Sequence, residues 1–320
     1  MITKPTVLVL GAGASKPYGY PLGGELVHHI DDILKDNNWV AALMECGVDR
    51  RIVDEFRFEL FYSQQPSVDS FLEYRPEFHE VGKLTIAMSL IAHEHESALF
   101  AHVRRNEGIY HYLFTQLNAS WEEFSNNKLS IITFNYDRTI EHYLFTSLKH
   151  SCGQPDEVVA ESFLSIPIIH VHGSLGSLPW QGTNGKPYVT INIPKNPIEA
   201  AKLIVPASKR ILIVSEEDKS TDEFNRAFDC LKSAERIYFL GFGYHTPNLK
   251  KLKLRELNYL DSHVSSEKFN RPAERRLPIR GSALGFRAAQ RDAIVRDWGI
   301  GLPSSSYNDL EFLKEYAELD

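Results

Sequence analysis

Four short stretches of this 320-residue chain carry residue types suited to chemistry: Gly11-Ala-Gly-Ala-Ser15, Asn135-Tyr-Asp137, His172-Gly-Ser174 and Gly241-Phe-Gly243. Glycines at 11 and 13 let a backbone turn tightly and approach a ligand with no Cβ in the way. A helix start just after such a turn presents free N–H groups and a positive dipole end, which suits a pyrophosphate. Asn135 offers a neutral amide able to orient a sugar hydroxyl or a water. Asp137 offers a carboxylate, although a plain N-cap of the next helix explains it equally well. His172 is a candidate general base near neutral pH, against the competing reading of a structural histidine. Singly these signals are weak. Lys16 stands where a third glycine would complete G-x-G-x-x-G, and a tight turn without ligand also explains Gly11 and Gly13.

Their weight comes from position, because each follows a run that reads as a strand. Thr6 to Leu10, Ser130 to Phe134, Ile168 to Val171 and Arg236 to Leu240 are short, apolar and largely β-branched or aromatic. Such continuous runs belong to strands covered on both faces, as in a parallel sheet. Helical spacing follows from about Leu22 to Leu34 and from Asp137 to Leu148. A capping box at Ser220 and Glu223 predicts a helix to about Ala234. Further helices are expected near Leu249 to Tyr259, Arg287 to Arg296 and Asp309 to Leu319. Alternating strands and helices predict an α/β fold, a Rossmann-like doubly wound parallel sheet. In such sheets ligands bind beyond the carboxyl ends of the strands. All four stretches fall there.

Between the first two strands, from about Asn37 to Lys128, apolar residues recur at three and four, as in Leu84, Met88, Ile91 and Tyr110, Phe114, Leu117. That spacing predicts an all-helical insertion. The chain therefore divides into a core of 1–35 and 129–250, a helical insertion of 36–128 and a C-terminal helical segment of 251–320 packed on the core. Gly173 to Pro206, rich in Gly, Pro and Asn, reads as loop with a short hairpin near Tyr188 to Ile191.

Composition narrows the classes. Formal charge is 35 − 42 = −7, the wrong sign for a dedicated nucleic-acid binder. Cys46, Cys152 and Cys230 are too few and too scattered for a disulfide framework or a structural zinc site. No apolar run approaches the ~20 residues a membrane span needs, and the amino terminus leads straight into a strand and glycines rather than a leader, so a cytoplasmic location is expected. A dehydrogenase would want an acid at the end of its second strand to hold a ribose. Asp31 and Asp32 stand at about the right distance but inside a predicted helix. His93-Glu-His95-Glu96 looks metal-like, yet residues two apart on a helix do not share a face. His170 alternates with His172 on a strand and so reads as structural, and the arginines between Arg271 and Arg291 as a solvated face.

In order, these motifs resemble the sirtuin pattern of a glycine loop, T-x-N-x-D and H-G. The fuller spelling is Gly11-Ala-Gly-Ala-Ser15 with Pro21-Leu-Gly23, Phe134-Asn-Tyr-Asp137, His170-Val-His-Gly-Ser174, and Leu240-Gly-Phe-Gly-Tyr244 with Asn248. It resembles the sirtuin-like domains of bacterial anti-phage systems, which hydrolyse NAD+. The resemblance covers roughly 1–35 and 129–250. It implies Asn135 and His172 as the catalytic pair with Asp137 beside them. It also implies NAD+ contacts from Gly11, Ala12, Gly13, Ser15, Thr133, Gly241, Phe242, Gly243 and Asn248. Gly241-Phe-Gly243 replaces the Gly-Thr-Ser of sirtuins, and the four-cysteine zinc module of the protein deacylases has no counterpart. No zinc is therefore expected, and no cofactor beyond NAD+ itself as substrate. An unrestrained NAD+ hydrolase would kill its host, so the resemblance implies a homo-oligomer. It also implies a separately encoded partner, such as a translocase-type ATPase or a short Argonaute-like protein; charge and hydropathy add the expectation of no membrane and no direct nucleic-acid contact. A catalytically silent nucleotide-binding or assembly module and a protein deacylase are the competing functions.

Overall fold

In the computed structural model, residues 1–101, 108–182, 184–188, 193–213, 217–257 and 279–319 are described, the side chains of 217–221 excepted. Five strands form one parallel sheet: β1 (Thr6–Leu10), β2 (Leu129–Thr133), β3 (Ile168–His170), β4 (Arg236–Leu240) and β5 (Ile279–Gly281), in the order β3-β2-β1-β4-β5. The chain builds outward from β1 to one edge, then crosses to β4 on the other side. This places a topological switch point between β1 and β4, and ligands of open α/β sheets bind at such a point. In register, Leu10 lies beside both Thr133 and Leu240, and Thr133 beside His170, so all four motif-bearing strands end at one level. The expected Rossmann-like α/β fold is observed.

Side chains alternate between two apolar layers, as a strand covered on both faces requires. Leu8, Leu10, Ile131 and Leu240 face the layer shared with the insertion. Val7, Val9, Ile132 and Phe239 face the layer shared with α12 (Glu217–Ser233) and the C-terminal residues. Every described element between β1 and β2 after the glycine turn is helical, including α2 (Gly23–Ile33), α3 (Asn37–Glu45), α4 (Arg50–Tyr62), α5 (Val68–Leu72), α6 (His79–Ile91), α7 (Glu96–Leu99) and α8 (Ile109–Gln116).

Three local expectations are corrected. The segment Gly173 to Pro206, read as loop, contains the helix α11 (Pro197–Ser208). Its Asn and Pro are start signals: Asn196 accepts hydrogen bonds from the N–H groups of Ile198 (3.0 Å) and Glu199 (3.3 Å), and Pro197 takes the first turn, where its missing N–H costs nothing. Second, residues 251–320, expected to be helical, supply the edge strand β5, whose three residues are too few to show a period. Third, α12 starts at Glu217, before the proposed cap at Ser220. Most of the expected Tyr188 to Ile191 hairpin, the end of the Leu249 helix and the arginines of 271–278 lie outside the described residues.

Candidate active site

β1 ends in Gly11, and α1 (Ala12–Ser15) begins at once. The glycines are required, though for a reason other than a ligand. A Cβ on Gly11 would stand 2.5 Å from the Gly241 carbonyl oxygen, and one on Gly13 2.6 Å from the Gly241 Cα. The Gly13 N–H donates to the Gly241 oxygen (2.9 Å), and the Gly11 N–H to that of Leu240 (3.0 Å). Gly241 itself holds φ +57, a left-handed conformation that favours glycine. The two glycine turns at the switch point are thus packed against each other, backbone on backbone. Gly13→Val is expected to destabilise the whole fold by about 1–3 kcal/mol or more through overpacking. A urea midpoint equal to wild type would contradict this contact.

Beyond β2, Asn135 is fixed on three sides. Its N–H donates to Thr133 Oγ1 (3.1 Å), and its Nδ2 donates to the Gly11 carbonyl (2.9 Å) and to Ser15 Oγ (3.1 Å). Ser15, fully buried, also meets the Tyr110 hydroxyl of α8 (3.3 Å) and the carboxylate of Asp137. Asp137 in turn accepts from the Thr139 N–H (3.1 Å) and hydroxyl at the start of α9 (Thr139–Cys152). Burial raises the Asp137 pKa against the Thr139 and Ser15 donors. Gly11, Ser15, Asn135 and Asp137 therefore form one hydrogen-bonded network, closed from outside by a tyrosine of the insertion. Asp137 does serve the helix start, as its simpler reading had it, and its carboxylate joins the network through Ser15 as well.

His172 stands past the end of β3, on the other side of Phe134 and Tyr136. Its ring packs edge-on against Phe134 (5.4 Å) and Phe224 (5.7 Å), with Tyr136 at 6.4 Å. It is 5% exposed, and among the described residues its Nδ1 has no hydrogen-bond partner. Burial in this cage pushes its pKa down to about 4, so the neutral ring is the form present near neutral pH. His170 has the opposite environment. Burial disfavours its charged form, but Glu141 at 2.6 Å and the Asn135 carbonyl at 2.9 Å outweigh that and raise its pKa. It is a structural link between β3, α9 and the Asn135 turn. Among the described residues no hydrogen bond joins Asn135 to His172.

These shifts have opposite consequences for stability. The reference histidine titrates at 6.5 and folded His172 near 4, so what this ring contributes is present above 6.5 and lost as pH falls through 4. His170 contributes below its unfolded pKa, and that is lost as pH rises through its raised folded pKa. His29, His93 and His142 are also depressed by burial and add to acid sensitivity. His172→Phe, which keeps a ring in the cage, is expected to gain on wild type by roughly 3 kcal/mol between pH 7 and 4. Urea unfolding at several pH values measures the difference. Parallel curves would contradict a neutral, buried ring.

The remaining predicted contacts are less directly placed. Thr133 positions Asn135, and Ala12 opens α1. Phe242 is buried against Phe134 (4.9 Å) and Phe239 (5.2 Å), so its ring is core, while Gly243 is exposed. Asn248 lies half-buried on α13 (Thr246–Lys251). Asp31 pairs with Arg57 (2.8 Å) and Lys35 (2.7 Å), which fits α2 packing rather than ribose binding. Sequence reasoning passed over Tyr110, over Asp69 of α5, whose carboxylate accepts the Tyr136 hydroxyl, and over Asp309, whose Oδ1 accepts the Gly241 N–H (2.8 Å). None carried a signal that pointed to these strand ends, because each arrives from a distant segment. Among the described residues no group of three His, Cys, Asp or Glu could hold a metal, and no helix is long and apolar enough to cross a membrane. A cleft of about 190 Å³ opens at the amino ends of the strands, lined by Pro5, Lys128 and Cys230 among others, away from every motif above. Comparison with protein-family models, curated proteins and solved structures finds no match.

Proposed function

We propose that the chain is an NAD+ glycohydrolase that cleaves the nicotinamide–ribose bond to give nicotinamide and ADP-ribose. The observation that carries the reading is the convergence, at the carboxyl ends of β1, β2 and β3, of a glycine turn, an amide fixed by Gly11 and Ser15, and a buried neutral imidazole with an unused nitrogen. Nicotinamide is already a cationic leaving group, so this cleavage needs no strong acid. It needs a held ribose, support for an oxocarbenium-like transition state and a positioned nucleophile. Asn135 orients the ribose or the water. As the C1′–N bond breaks, its electron pair neutralises the pyridinium nitrogen, a water oxygen bonds to C1′, and His172 accepts the water's proton. Asp137 lies one hydrogen bond beyond Ser15, placed to offset positive charge.

By the resemblance described above, the activity serves as a toxic effector in anti-phage defence, depleting cytoplasmic NAD+. The effector is a homo-oligomer under a separately encoded partner, a translocase-type ATPase or a short Argonaute-like protein. The mutual packing of the two glycine turns weighs against a phosphate cradle there and so favours a second reading, an assembly module without turnover, over a nucleotide-binding one. Nicotinamide release from NAD+, with and without an acylated peptide, separates the readings. Release without peptide supports the hydrolase, release only with peptide a deacylase, binding without release a nucleotide-binding module, and neither binding nor release the assembly module.

A further inference from the structure

The charged groups around His172 come from outside the strand ends. From the insertion, α5 presents Asp69, and Glu73 follows directly after that helix. Asp69 is anchored from its first turn, where Ser67 caps the helix and the Tyr136 hydroxyl donates to the carboxylate. From the other side, α13 presents Lys251, whose Nζ lies 3.9 Å from Glu73 Oε1 and 5.8 Å from the centroid of the Phe224 ring. Phe134 and Phe224 meet His172 only in T-shaped ring contacts and bring it no charge. Tyr136 thus links the imidazole to the Asp69 carboxylate, while Lys251, the cation that acts on the ring, is itself paired with Glu73.

We propose that Asp69 is a positioning residue for His172: held by the Tyr136 hydroxyl, it sets a fixed negative charge from the helical insertion beside the imidazole, against the opposing charge of Lys251. Its role in turnover rests on the hydrolase reading; the electrostatic coupling does not. Asp69 favours the protonated ring and Lys251 disfavours it, both acting against the larger effect of burial. The arrangement explains why a helix of the insertion reaches the sheet's carboxyl edge. It supplies a negative charge where the transition state gathers positive charge on the ribose and a proton on His172. The charge is carried by a short helix tied down at Ser67 and Tyr136, so it is preorganised rather than recruited.

The test is an NMR titration of the His172 ring in full-length, histidine-labelled protein, its signal assigned by its loss in His172→Phe. Lys251→Met is expected to raise the ring's pKa by about half a pH unit or more, and Asp69→Asn to lower it by a similar amount. Because a lowered value falls toward acid unfolding, Asp69→Asn is also read in the Lys251→Met background, where the titration is highest. Tyr136→Phe, which releases the carboxylate, is expected to move the ring in the same direction as Asp69→Asn, and Asp69→Glu to restore it in part. A His172 titration unmoved by Asp69→Asn in either background would overturn the proposal. The acid limb of kcat is read in parallel. A shifted titration in a protein that releases no nicotinamide would uphold the coupling while leaving its role in turnover without support.

Discussion

Replacing His172 with Phe or Asn135 with Ala is expected to lower nicotinamide release by ~10²–10⁴-fold in kcat, with a much smaller change in KM. The reason lies in where the binding energy arises. On the proposed hydrolase reading, contacts to the adenosine and pyrophosphate lie away from the scissile bond and survive both substitutions. On that reading the imidazole and the amide would act when the ribose flattens and the water gives up its proton, and interactions realised only there change kcat. The structural costs of the two substitutions differ. His172 fills an aromatic cage, so His172→Ala would add a cavity penalty, whereas Phe keeps the packing. Asn135→Ala removes the amide's bonds to Gly11 and Ser15 and is expected to cost about 1 kcal/mol or slightly more in stability. If the two serve one event, the double variant falls little below the worse single one. Steady-state kinetics on folded variants decides the matter, and near-wild-type turnover in His172→Phe removes His172 from the mechanism.

Strand-borne features were legible in the sequence because they are local. Four continuous apolar runs ending in Gly, Asn or His announced parallel strands and the edge where ligands bind, and the observed register brings those ends to one level. What the glycines do was not legible. The reading from Gly11 and Gly13 alone assigned their missing Cβ atoms to a ligand, but the space is taken by Gly241, 228 residues beyond Gly13. The Pro and Asn around position 196 were ambiguous in kind, since the same residues that break helices also begin them. Asp69, Tyr110 and Asp309 were invisible for a third reason: a side chain that enters a site from an inserted or terminal segment carries no period and no spacing relative to it. The metal-like His93-Glu-His95-Glu96 shows the same limit. Its buried member is Glu94, the one between the histidines, and its partner lies 44 residues on.

Arg138→Met is expected to destabilise the fold by about 3–5 kcal/mol, more than loss of any exposed charge on this chain. Arg138 and Glu94 are both buried, and the guanidinium meets the carboxylate bidentately, Nε to Oε1 at 2.8 Å and Nη2 to Oε2 at 2.6 Å. The remaining donors reach the carbonyls of Ser177 (3.1 Å), Lys186 (2.9 Å) and Pro187 (3.1 Å). One side chain thus ties the turn between α6 and α7 of the insertion, the start of α9 and the loop after His172 into a single body. Removing it leaves a buried carboxylate without its bidentate partner and takes a donor from three carbonyls, and each buried group left unmade costs on the order of 1–3 kcal/mol. A lysine cannot substitute, because a point charge does not reproduce the fork. Adding Glu94→Leu to Arg138→Met removes the stranded carboxylate but not the three carbonyls. The double variant should therefore recover part of the loss and remain less stable than wild type. Urea midpoints for the two singles and the double measure this directly, and fully additive losses would mean that the pair acts as two independent groups. Since Arg138 directly follows Asp137 and anchors the loop beyond His172, its loss is also expected to reduce turnover without touching any group that meets the substrate. That defect should be the one among these variants that lower temperature partly restores.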